Sequence, residues 1–149
     1  MKKRKSSRLT KMLYLFFAAI IVCNLFATAV AAANVTDTRH TDQGYLTNGS
    51  QTDYRKKEDA SSCYTYNDRS SCTVAAFVYG AYSDKGSGET NDSYYSYGTP
   101  IQVGQKRSIL NLVNERGRTY ASIWYWTPDA NQYEYIDLLW SPDSTRDYG

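Results

Sequence analysis

From Gly44 onward the chain is a series of short runs rich in Tyr, Thr, Val, Ile and Trp, cut by clusters of Gly, Asn, Asp, Ser and Pro. β-Branched and aromatic side chains suit a pleated, half-buried surface, and breaks at this spacing leave little room for long helices. The pattern therefore predicts an all-β domain: a single antiparallel β-sandwich over residues 43–149. Strands are expected near 43–48, 52–57, 61–66, 71–82, 93–97, 101–104, 119–126 and 133–140. One stretch departs from the pattern. KRSILNLVNERG, residues 106–117, places Ile109, Leu110, Leu112 and Val113 at helical spacing. It predicts one short helix, capped by Ser108 and ended by Gly117 in the left-handed conformation. Such a helix is too short to stand alone and should pack on a sheet edge.

Ahead of the domain, the basic opening MKKRKSSRLTKM runs into LYLFFAAIIVCNLFATAVA and two further alanines. This is the three-part pattern of a secretory signal peptide, spanning residues 1–33. Ala29-Val30-Ala31 and Ala31-Ala32-Ala33 both supply the small-x-small cleavage pattern, so the mature chain should begin at Ala32 or Asn34. Cys23 follows bulky residues rather than the small ones that lipidation favours, and goes with the leader. No stable membrane insertion is expected once the leader is removed. Residues 34–42, NVTDTRHTD, are polar and aperiodic, and read as a flexible N-terminal arm.

Cleavage changes the charge balance. Six of the 17 basic residues lie in the leader and none of the 15 acidic ones, so the remainder carries −4. A mildly acidic protein has no basic face for nucleic acid or anionic lipid. Residues 34–149 are enough for one domain with one core.

Outside the leader the only cysteines are Cys63 and Cys72, in SSCYTYNDRSSC. A two-residue turn at Asn67-Asp68 would set Tyr66 opposite Arg69, Thr65 opposite Ser70, Tyr64 opposite Ser71 and Cys63 opposite Cys72. The cysteines would fall on a non-hydrogen-bonded pair, with Cα atoms about 4.5 Å apart, near the short end of disulfide reach. An exported chain meets the oxidising conditions this bond needs, and closing the loop would contribute about 2–3 kcal/mol. The spacing is not C-x-x-C and no zinc-ligand companions are present. A structural disulfide is the expectation, with Cys72 on the apolar face of Val74, Ala76 and Val78.

Little points to catalysis. The one histidine, His40, lies in the polar arm, where nothing in the sequence would hold it against a nucleophile. No G-x-S-x-G or H-E-x-x-H string occurs, and paired carboxylates of the glycosidase kind have no distinguishing pattern among 15 acidic residues. The loop SDKGSGETND, residues 83–92, lacks the D-x-[DN]-x-[DN]-G spacing of a calcium loop. Asp84, Glu89 and Asp92 therefore read as the solvated tip of a hairpin, and neither metal nor cofactor is expected. Asn34-Val35-Thr36, Asn48-Gly49-Ser50 and Asn91-Asp92-Ser93 match the glycosylation sequon, which matters only in a eukaryotic secretory pathway.

The aromatic residues are the unusual feature. Of 15 tyrosines 14 follow the leader, as do all three tryptophans, against a single phenylalanine, Phe77. In TYASIWYW, alternation puts Tyr120, Ser122, Trp124 and Trp126 on one strand face and Ala121, Ile123 and Tyr125 on the other. In YEYIDLLW, Ile136, Leu138 and Trp140 share a core face, leaving Tyr133, Tyr135 and Asp137 opposite, and Pro142 stops the strand. Either both faces are covered as core in a two-layer sandwich, or one presents a contiguous row of exposed rings that suits a sugar or peptide, because a pyranose face stacks on a ring while Tyr and Trp tips hydrogen-bond outward. Trp124, Trp126, Tyr133 and Tyr135 are the candidate ligand-contact residues.

Several features in order resemble a family of small secreted proteins of Gram-positive bacteria classed as a domain of unknown function. They are the leader, TDTRHTDQGY, YRKKEDASSCYTYNDRSSCTVAAFVYG, LVNERGRTYASI and the ending WSPDS at residues 140–144. The resemblance implies a secreted β-sandwich-like domain and assigns no catalytic residue. The Tyr-, Ser- and Thr-rich β make-up is also similar to that of lactococcin-like bacteriocins. The expectation is a non-catalytic protein of the bacterial surface or medium that binds a cell-wall polymer, glycan or surface protein. The alternatives are a secreted bacteriocin-like toxin and, third, a small secreted hydrolase.

Overall fold

The computed structural model describes residues 34–149 apart from 47, 129, 130 and 146. The signal peptide expected over residues 1–33 lies outside the described residues. Two long strands anchor one layer: β5 (Val74–Ala81) and β9 (Tyr120–Trp126) pair antiparallel along seven residues, from Ala75↔Trp126 to Ala81↔Tyr120. Their alternating residues Val74, Ala76, Val78, Ala121, Ile123 and Tyr125 are buried, as period-two patterning requires. Short strands complete this sheet. β2 (Ser50–Gln51) and β3 (Arg55–Lys56) lie along β9, while β6 (Thr90–Asn91) and β7 (Thr99–Ile101) lie along β5.

The second sheet has the order β1-β10-β4-β8, built from β1 (Thr38–Gly44), β10 (Glu134–Ser141), β4 (Cys63–Asn67) and β8 (Lys106–Ile109). Its inward Cys63, Ile109, Ile136, Leu138 and Trp140 join the inward residues of the first sheet in one apolar core. The molecule is thus a two-layer antiparallel sandwich, with strands 71–82, 119–126 and 133–140 close to where the sequence places them. The outer edge of β8 is covered by the C-terminal tail: Ser108 N–H donates to the Tyr148 carbonyl at 2.9 Å and Tyr148 N–H to Ser108 Oγ at 2.8 Å. Covering an edge in this way removes a template for aggregation.

Four expectations need correction. Residues 38–44 of the expected arm form β1, paired along its length with β10 from Thr38↔Trp140 to Gly44↔Glu134. The ladder is made by backbone groups, and an edge strand can be polar without burying charge. No helix forms over 106–117. Lys106–Ile109 is a strand on β4, Asn111 bridges Ser93, and a turn follows. The open edge of β4 offers this short segment backbone partners without the cost of nucleating a helix. Gly117 does take a positive φ, +73°. Residues 93–97, expected as a strand, form a loop apart from the Ser93 bridge.

The fourth correction is the cysteine hairpin. β4 is flanked by β10 and β8, and β5 belongs to the other sheet. After Asn67 the chain continues beside β10 instead of turning back on β4: Asp68 N–H donates to the Asp137 carbonyl and Ser71 N–H to that of Tyr135. Cys63 consequently sits opposite Ile109, and Cys63 and Cys72 are unbonded thiols. Cys72 does pack against the core, as its alternation with Val74, Ala76 and Val78 implies.

Candidate functional site

On the outward face of the first sheet, strand pairing sets Phe77 beside Trp124 and Ala75 beside Trp126. Trp124 makes an edge contact with Phe77 at 5.4 Å between ring centroids and a tilted one with Tyr79 at 6.1 Å. Gly49, with φ +74°, lets its backbone lie on this ring, since a Cβ there would come within 2.3 Å of Trp124. Gly98, with φ +70°, serves Phe77 likewise. Trp126 stands beside this group and is 39% exposed. Next to the rings runs a polar strip. Gln51 Nε2 donates to Ser122 Oγ at 2.6 Å and to Tyr54 Oη at 2.9 Å, and Tyr54 donates to Glu89 Oε2 at 2.6 Å. Partial burial and the Glu89 carboxylate push the Tyr54 hydroxyl up to about 12, so it remains a donor at neutral pH. Tyr94, Tyr95 and Tyr97 lie exposed on the β6–β7 loop, with Tyr95 in ring contact with both others.

The four candidate contact residues do not form one surface. Trp124 and Trp126 belong to β9, whereas Tyr135 lies on β10 in the opposite sheet and Tyr133 just before it, against Tyr45 at 5.7 Å. Both tyrosines are exposed, at 60% for Tyr133 and 41% for Tyr135. Alternation identifies the outward positions of each strand and says nothing about which layer the strand joins.

His40 is not the solvated arm residue that the sequence suggests. β1 carries it inward at the sheet edge, where its Nε2 lies 2.9 Å from Tyr125 Oη, which in turn donates to Asp42 Oδ2 at 3.2 Å. Burial lowers the His40 pKa, against the opposing charges of Asp42 and Asp53. Burial also lifts the Tyr125 hydroxyl far above its ordinary value. This cluster ties the edge of one sheet to the centre of the other.

Asp92 likewise departs from expectation. Asp84 and Glu89 are exposed, but Asp92 is fully buried, held by Arg116 at 2.6 Å, Arg118 at 3.2 Å and the Thr90 hydroxyl at 3.0 Å. The NERGR turn is therefore a clamp on a buried carboxylate. A second buried pair joins the other quoted motifs: Lys57 of KKED meets Asp143 of WSPDS. Neither charge had a sequence signal, since a buried ion and a solvated one look alike in a string of residues. Among the described residues, no group of three or more His, Cys, Asp and Glu side chains is arranged to hold a metal ion.

A protein family described as "protein of unknown function (DUF2712)" matches residues 27–144, and the chain belongs to it. No curated protein and no solved structure matches the chain.

Proposed function

We propose that this DUF2712 member is a non-catalytic module, exported by a cleaved leader from a Gram-positive bacterium, that binds uncharged glycan of the cell wall. The outward face of the β5–β9 sheet is the contact surface. The observation that carries the reading is the aromatic row Trp126, Trp124, Phe77 and Tyr79 beside the half-buried amide of Gln51 and hydroxyl of Tyr54, with the buried Ser122 fixing Gln51 from below. Rings stack on the apolar face of a sugar, and flanking amide and hydroxyl groups hydrogen-bond its hydroxyls. The −4 charge of residues 34–149 favours a neutral polymer over an anionic one. His40, bonded to the Tyr125 hydroxyl that in turn donates to Asp42, fits a structural role better than that of a free base.

The test is co-sedimentation of the exported protein with purified insoluble cell-wall glycan across a range of salt. Binding that persists at high salt and disappears in Trp126→Ala, with the fold intact, supports the reading. No sedimentation at any salt overturns it, and growth inhibition of related strains without sedimentation would favour the toxin.

A further inference from the structure

Lys57 follows β3 in one sheet and Asp143 follows β10 in the other, yet Lys57 Nζ lies 3.1 Å from Asp143 Oδ1 and neither side chain is exposed at all. Lys57 Nζ also donates to the carbonyls of Ser61 at 2.6 Å and Pro142 at 2.7 Å, which fixes the nitrogen beside the carboxyl. A third group completes the cluster. Asp59 stands beside the pair, its N–H donating to Asp143 Oδ1 at 3.4 Å. Partial burial pushes Asp59 up, but Ser61, Asp143 and the Lys57 charge outweigh it and hold Asp59 below its ordinary range. On the far side of the Asp143 carboxyl, Oδ2 accepts from Asn34 N–H at 2.9 Å and Glu58 N–H at 3.1 Å.

We propose that Lys57 and Asp143 condense after folding into an intramolecular amide joining Lys57 Nζ to Asp143 Cγ, with Asp59 as the proton relay. The ammonium and carboxylate together carry no net charge and become a neutral amide plus one water. A proton passes from Nζ to the Asp59 carboxylate, and the freed amine attacks Cγ. Negative charge then develops on Oδ2, where the Asn34 and Glu58 N–H groups already point, as donors to an oxyanion must. Oδ1 leaves as water with two of the three ammonium protons, and the Nζ–Cγ bond replaces the Cγ–Oδ1 bond. Asp59 returns to its starting state, and nothing is oxidised or reduced. Oδ2 becomes the amide oxygen and keeps both of its N–H partners.

Fixing the reactants in a buried site supplies the effective concentration that condensation in water lacks. The departing water has a way out, because Asp143 borders a cleft of about 240 Å³ lined also by Tyr64, Ser144 and Tyr148. The product bond would tie the two layers of the sandwich together, a linkage that the unbonded cysteines do not provide.

The test is mass spectrometry of the full chain, expressed, purified in folded form, reduced and digested with trypsin. The expected result is a branched peptide joining the Lys57 and Asp143 segments, lighter by one water than its two parts, with no cleavage after Lys57. Linear peptides carrying unmodified Lys57 and Asp143 overturn the proposal, as does a one-water loss located anywhere else. This readout uses the native sequence, so it does not depend on a variant folding. Asp59→Asn, confirmed folded by circular dichroism, is expected to slow bond formation at least tenfold. Formation at the native rate overturns the relay role of Asp59.

Discussion

Arg116 Nη1 lies 2.6 Å from Oδ1 of the fully buried Asp92, and Arg118 approaches the same carboxylate from a largely buried position. A carboxylate in this setting is tolerable only while its partners remain, because removing one side of a buried ion pair strands the other. Asp92→Ala is therefore expected to lower stability by about 3 kcal/mol, read as a fall in the urea midpoint with an unchanged slope. Gly80→Ala should act in the same direction, since its Cβ would come within 2.2 Å of Asp92 Oδ2 and the Asp92 backbone is tied to the Val78 carbonyl. Native stability in both variants would show that the clamp contributes nothing.

The strands legible in the sequence were those whose neighbours are apolar. Val74, Ala76 and Val78 on β5, and Ile136, Leu138 and Trp140 on β10, alternate because one face of each strand meets the core. β1 is silent by that measure. It is a polar edge strand recognisable only once β10 offers it a ladder. β8 was misleading, because Ile109 and Val113 are buried at helical spacing while belonging to a strand and a turn. The charged clusters were hidden for another reason. Lys57 and Asp143 are 86 residues apart, and no local pattern announces a pairing between segments that follow strands of different sheets.

The thiols give a direct test of topology. Burial pushes the Cys63 thiol up to about 12, and partial burial with the Glu134 charge pushes Cys72 up to about 11. Only the thiolate alkylates readily, so the folded protein should resist iodoacetamide at mildly alkaline pH, with Cys72 reacting slowly and Cys63 not at all. Unfolding without reductant should expose both, seen as two alkylation increments by mass. If labelling requires prior reduction, the cysteines are bonded and the arrangement of β4 and β5 described above is wrong.

Acid sensitivity should trace in part to His40. Its pKa is lowered in the folded state by burial, so below the ordinary value of about 6.5 the unfolded chain takes up a proton that the folded one resists. The stability contribution of neutral His40 is then complete above that value and is lost as pH falls through it toward the folded pKa. Denaturant unfolding between about pH 7.5 and pH 5 should show stability falling with acidification in this window. His40→Gln should flatten that part of the profile. An unchanged slope in the variant would place the acid sensitivity elsewhere.

The two tryptophans of β9 should separate binding from folding. Trp124 is half-buried against Phe77, Tyr79 and the Gly49 backbone, so Trp124→Ala should cost about 3 kcal/mol of stability as well as glycan affinity. Trp126 stands at the margin of the same row with much of its ring in solvent. Its replacement by alanine should change stability by no more than about 0.5 kcal/mol, yet weaken binding at least tenfold, or about 1.4 kcal/mol. Tyr133→Ala and Tyr135→Ala, in the opposite layer, should leave affinity unchanged. Isotherms with soluble wall-glycan fragments, set beside urea curves for the same four variants, distinguish the cases. Loss of affinity in the tyrosine variants but not in Trp126→Ala would move the binding face to the β1–β10 sheet.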